Sequence, residues 1–209
     1  MEGFNINDII KKVTAILTKP AAFFKEMPKT GGYVEPLIFV AIMGLIAGVV
    51  GAILSIVGLM AGGAGAGIAL IVIMPIAMII GSFIGAAILF LIWKLMGSNE
   101  NYETAYRCTA YVSVFAPIGV VAGIIPYIGS IAVLAVEIYY LVLASVNVHN
   151  IETKKAWLVF GIIGALLALM SISGEIAANN MKSGMSQYQD QSKELQKQIE
   201  KMQKEQQGQ

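Results

Sequence analysis

The stretch PLIFVAIMGLIAGVVGAILSIVGLMAGGAGAGIALIVIMPIAMIIGSFIGAAILFLIW, residues 36–93, contains no Asp, Glu, Lys, Arg or His. One helix needs about 20 apolar residues to cross a hydrocarbon core, so this run holds two spans. Apolar character gives way to small residues in Ala61-Gly62-Gly63-Ala64-Gly65-Ala66-Gly67, a break that predicts spans over 36–59 and 68–93. Downstream, Cys108 to Val148 carries Glu137 as its single charge and is cut by Pro126-Tyr127-Ile128-Gly129, which predicts a tight hairpin of spans 108–125 and 128–147. The uncharged run Ala156 to Gly174 predicts a fifth span, 156–174.

Composition agrees: 57% hydrophobic residues, 13% charged residues and a mean hydropathy of +0.74 lie outside the range of soluble domains. The fold class expected is all-α, a polytopic membrane protein. It is a bundle of five transmembrane helices with an amphipathic N-terminal helix and a polar C-terminal helix. Its organisation reads as an N-terminal segment 1–35, a five-helix domain 36–174 and a polar tail 175–209, helical or partly disordered. The formal net charge of +1 provides no field to recruit nucleic acid, and none is expected as a partner. A single cysteine excludes an internal disulfide framework.

Basic residues near the spans predict orientation. Lys11, Lys12, Lys19, Lys25 and Lys29 precede the first span; Lys94 and Arg107 lie between the second and third; Lys154 and Lys155 lie between the fourth and fifth. The other two connections have none, so the N-terminus is expected in the cytoplasm and the C-terminus outside. In a prokaryote the membrane would be the plasma (inner) membrane. Trp93, Tyr102, Tyr106 and Trp157 then fall at the cytoplasmic interface. No cleavable signal peptide is expected, because the first 35 residues are polar and amphipathic.

Ile9, Ile10, Val13, Ile16 and Leu17 recur at helical spacing before Pro20, with Lys11 and Lys12 on another face. This predicts a short helix, either lying on anionic lipid or packed under the bundle. In the tail, Met185, Tyr188, Leu195, Ile199 and Met202 make at most a weak coiled coil interrupted at Ser192; a solvated helix is the favoured reading.

Three glycine pairs, Gly44 and Gly48, Gly81 and Gly85, and Gly119 and Gly123, each place two small residues on one helix face and are the candidate packing positions. Packing within one bundle is favoured over dimerisation. Pro75 and Pro117 each remove an intrahelical hydrogen bond, read as kinks. Glu137, the ionisable residue inside a span, is expected to be protonated and to bridge to the carbonyl or hydroxyl of Ser113, with Ser82 as the other candidate. The Ser113 carbonyl is singled out because Pro117 lacks the N–H that would normally reach it. Packing is its favoured role, ion coupling the second.

No catalytic, cofactor-binding or metal-binding residue is predicted, and no cofactor. Gly63 to Gly67 lacks the strand and the Lys-Ser or Lys-Thr of a phosphate loop. His149 and Cys108 are the single residues of their types, too few for a transition-metal site; His149 reads as a surface-loop residue and Cys108 as a membrane cysteine or an acyl acceptor.

Pro20-Ala21-Ala22-Phe23-Phe24, then Gly97-Ser98-Asn99-Glu100-Asn101-Tyr102-Glu103-Thr104-Ala105-Tyr106-Arg107 leading into Ala110-Tyr111 and Pro117, then Ile125 to Gly129, then His149 and Lys155-Ala156, appear in this order. Their order and spacing resemble the Yip family of multi-pass proteins, whose eukaryotic members were named as partners of Ypt/Rab GTPases. The resemblance covers residues 15–172. It implies a five-helix bundle with a cytosolic N-terminus and, in eukaryotes, roles in vesicle traffic, membrane shaping and hetero-oligomer formation. Residues 1–35 contain no Asp-Leu-Tyr-Gly-Pro type of motif like that in the long N-terminal region of those members, so no GTPase-binding residue carries over, and a short prokaryotic-type form is the expected likeness. The expected function is a non-catalytic membrane scaffold or organiser, with the bilayer and other membrane proteins or a second copy as partners. The alternative is a small transporter or channel subunit using Glu137.

Overall fold

The computed structural model describes residues 5–60 and 63–207, and no strand occurs among them. Ala61 and Gly62 of the glycine-rich break, and the Ile199 and Met202 side chains of the tail pattern, lie outside what is described. Asn5 opens α1 (Ile6–Thr18), its side chain accepting from the Asn7 N–H at 3.0 Å. Pro20 then starts α2 (Pro20–Glu26), where its missing N–H is harmless. There follow α3 (Val34–Ile56), α4 (Gly63–Leu95), α5 (Tyr102–Val112), α6 (Ala116–Ala122), α7 (Ile128–Asn147) and α8 (Thr153–Gln207). A 3-10 turn, Ser113–Phe115, joins α5 to α6. Counting Tyr102–Ala122 as one run, five helices among the described residues are long and apolar enough to cross a membrane. The third begins at Tyr102, ahead of its apolar run, because Asn101 caps it by accepting from the Thr104 N–H at 2.9 Å.

Helices α3 and α4 pack backbone to backbone. A Cβ on Gly44 would stand 2.6 Å from Pro75 Cα, and one on Gly48 would stand 2.5 Å from the Leu70 carbonyl oxygen. In lipid, where the hydrophobic effect does not distinguish helix from tail, such close approach is what holds two helices together. The far side of α4 carries exposed Ile68, Val72, Ile76, Ile80, Ile84 and Ile88 on four-residue steps, an apolar stripe suited to lipid. The α6–α7 hairpin turns at Tyr127, whose φ is 62°, with the Ile128 N–H donating to Pro126 O at 2.7 Å. Gly129 sits so close over the Ala122 carbonyl that any Cβ would collide with it.

The N-terminal flank is built into the bundle. Phe23 of α2 meets Tyr111 edge-on at 5.1 Å, and Phe24 approaches Tyr140 at 6.3 Å. Phe39 on Tyr111 and Phe115 on Tyr140 extend this aromatic core, at 5.3 and 4.7 Å. Tyr140 Oη donates to the Ile16 carbonyl at 2.8 Å, one of the carbonyls the end of α1 leaves without an intrahelical donor. Ile9 and Ile16 are buried, whereas Ile6 and Ile10 are 64% and 57% exposed and Leu17 is exposed with them. At the start of α8, Ala156 and Phe160 are buried and Gly164 admits the Ile138 side chain.

Contacts divide the chain into two units, Met1–Ala168 and Leu169–Gln209. The second is helical through Gln207, with exposed Leu169, Met170 and Ile176 followed by the Gln-, Lys- and Glu-rich tail sequence.

Candidate functional site

Two of the family-like motifs, Gly97–Arg107 and the stretch from His149 to Ala156, meet at one end of the bundle, where the flank before α3, the α4–α5 connection and the α7–α8 connection come together. Helical spacing on α5 puts Glu103, Thr104 and Arg107 toward residues 29–32 of the flank. The Thr104 hydroxyl reaches the Lys29 carbonyl at 3.1 Å and Asn101 Oδ1 at 3.0 Å, and Glu103 Oε1 accepts from the Gly32 N–H at 2.7 Å. Arg107 is 1% exposed. Its Nη2 donates to Gly32 O at 3.0 Å, while Nε and Nη1 stand 3.6 Å from Glu103 Oε1 and Glu35 Oε2. Those two nitrogens have no hydrogen bond within 3.5 Å, so the guanidinium is held by charge more than by directed bonds. Lys12 on α1 pairs with Glu35 at 2.8 Å, so two cations face two carboxylates, as burial of charge requires. Gly31, at φ +122°, wraps the loop over Arg107; a Cβ there would lie 2.9 Å from Nη2. Lys29 Nζ donates to Glu100 Oε1 at 2.7 Å and to Val148 O at 3.0 Å, closing the ring of connections.

Beside this lies His149, read from sequence as a surface-loop residue and found 4% exposed. Its ring stacks on Trp93 at 4.0 Å, Nδ1 is 2.8 Å from Ser98 Oγ and Nε2 is 3.9 Å from Cys108 Sγ. Trp93 Nε1 donates to Ser145 Oγ at 2.8 Å, and Lys155 Nζ to Met96 O at 2.8 Å. Trp93 and Tyr106 are thus buried inside the bundle, Tyr106 stacking on Phe83 at 4.4 Å. Burial, the dominant cause, pushes the His149 pKa down to about 4; Glu100 opposes this and Lys29 and Lys94 add to it. The imidazole is therefore neutral near pH 7. Ser98 and His149 form a hydrogen-bonded pair, 5% and 4% exposed, and Cys108 is fully buried. No group of three metal-ligating side chains occurs among the described residues.

Deeper in the spans, Glu137, Ser113 and Ser82 do come together, lining one cleft of about 340 Å³ with Gly81, Met78 and Thr109. The expected bridge is not made. The Ser113 carbonyl is not orphaned by Pro117, because the 3-10 turn lets the Ala116 N–H donate to it. The Ser113 hydroxyl donates to Ala110 O at 2.6 Å and the Ser82 hydroxyl to Ile79 O at 2.8 Å. Pro117 sits in the first turn of α6, where it breaks no bond. Among the glycines, Gly44 and Gly48 meet backbone, Gly85 meets Thr109 Cγ2 and Gly119 meets Val133 Cγ1, both at 3.7 Å. Gly123 faces Gly119 O at 3.3 Å, and Gly81 faces open space.

Sequence reasoning missed the Arg107 and His149 cluster because its members are scattered over residues 12–155. The one signal was that Ser98, Glu100, Glu103, Arg107, His149 and Lys155 fall within the family-like motifs.

No curated protein and no solved structure matches the chain. The Yip1 domain family model matches residues 14–174, which takes in the flank from the end of α1 onward, the polar cluster apart from Lys12, and the apolar helices up to the start of the tail. This multi-pass integral membrane protein belongs to the Yip1 domain family.

Proposed function

We propose that the chain is a non-catalytic organiser of its membrane, acting through helix packing and contacts with lipid and other membrane proteins or a second copy. The observation that carries this reading is the polar end. Its charged and aromatic groups are spent on each other, and the network fixes α1 against the bundle with Ile6, Ile10 and Leu17 still exposed beside Lys11. Such a helix suits the boundary between headgroups and acyl chains. In this reading the N-terminus and polar end are cytoplasmic, where Lys19 and Lys25 meet anionic lipid, and the C-terminus is outside, across a plasma (inner) membrane. The division into a flank 1–35, a helical domain 36–174 and a tail 175–209 belongs to the same proposal.

Crosslinking with mass spectrometry on native membranes, alongside flux assays on proteoliposomes, tests it. An organiser gives stable crosslinked partners or homodimers and passes no protons or small solutes. Substrate-dependent flux abolished by Glu137→Gln would overturn it.

A further inference from the structure

The cleft between α4, α5 and α7 has a chemistry that the packing role of these helices does not use. Among the described residues, no hydrogen bond or ion pair engages the Glu137 carboxyl. The hydroxyls beside it are all committed as donors to carbonyls of their own helices: Thr109 to Ala105 O at 2.9 Å, Ser113 to Ala110 O at 2.6 Å, Ser82 to Ile79 O at 2.8 Å. Each therefore turns oxygen lone pairs, not a hydrogen, toward a ligand. Ser82 Oγ also lies 3.3 Å from Tyr106 Oη, which leaves Glu137, Thr109 and Ser113 as three acceptors without a donor. The remaining walls are apolar, among them Met78, Leu89, Val112 and Leu141.

We propose that this cleft binds the primary ammonium group of a long-chain amphiphile, with Glu137 as counter-ion, Thr109 and Ser113 as the other two acceptors, and the apolar walls against the chain. An ammonium has three N–H donors and no acceptor, matching the three acceptor side chains. A bare inorganic cation fits less well, since hard cations gather six or more oxygens and this cleft is mostly hydrocarbon. The pair enters without net charge: a neutral amine arriving from the bilayer takes the carboxyl proton from Glu137, and one ammonium faces one carboxylate. Burial of an isolated charge is thereby avoided.

The test uses the full chain in lipid nanodiscs and a photoreactive long-chain primary amine, with the matched alcohol as control. The amine should label peptides from residues 78–89 or 109–141, and the alcohol should not. Glu137→Gln should reduce labelling about tenfold or more. Gly81→Leu keeps the carboxyl but fills the cleft from a position where a Cβ meets nothing within 4 Å, so it should fold and also lose labelling. Equal labelling by amine and alcohol, or labelling unchanged in the Gly81→Leu protein, would overturn the proposal. So would protection by sodium at constant ionic strength, which would assign the site to an inorganic ion.

Discussion

Acidification should destabilise this protein through His149 before its carboxylates are neutralised. The imidazole has an ordinary pKa of 6.5 and is pushed down to about 4 by burial against Trp93. As pH falls, the unfolded chain takes up the proton first, because the folded pocket resists the charge. Stability is therefore complete above about pH 6.5, declines as pH drops toward 4, and changes no further through this group below that. The whole window corresponds to about 3 kcal/mol and the portion down to pH 5 to about 2 kcal/mol. Other ionisable groups lie in the same cluster, so the measurement is a difference. Unfolding by SDS titration in mixed micelles is compared at pH 8 and pH 5 for the natural protein and for His149→Phe. Phenylalanine preserves the stack on Trp93 and cannot take a proton, and Ser98 Oγ retains its bond from the Glu100 N–H at 3.2 Å. The natural protein should lose about 2 kcal/mol more than the variant over that interval. Parallel losses in the two proteins would refute the argument, since they would place His149 in contact with water.

Gly48→Ala drives a Cβ onto the Leu70 carbonyl and should cost about 1–3 kcal/mol in the same assay, whereas Gly81→Ala should be neutral within about 0.5 kcal/mol. Equal effects would contradict the packing of α3 on α4. Arg107→Met leaves Glu35 and Glu103 facing each other beside an uncharged side chain and should cost about 3–5 kcal/mol; adding Glu103→Gln should recover part of that. No recovery would show that lost packing, not charge, is responsible. For topology, a cysteine at Gly65 or Ser186 should react with an impermeant thiol reagent from outside and one at Asn101 only after permeabilisation. Labelling at Ser186 from inside alone would exclude an outside C-terminus.

The number and order of apolar helices were decided by sequence alone, because the absence of charge over a run as long as 36–93 leaves a bilayer as the medium. The family was legible for a similar reason: Gly97 to Arg107 and Ile125 to Gly129 are contiguous, and contiguous signals survive without coordinates. The polar end required the tertiary structure. Lys12, Lys29, Glu35, Trp93, Arg107 and His149 sit in six separate segments, and periodicity within one helix carries no information about which ends meet. The fate of Ser113 is the smaller case of the same limit. Removing an N–H at Pro117 predicts an orphaned carbonyl only if the α-helix continues unchanged, and a local 3-10 turn rescued it. Likewise three glycine pairs look alike in sequence, but only Gly44 and Gly48 face a neighbouring backbone, because the azimuth of a helix is set by its partners.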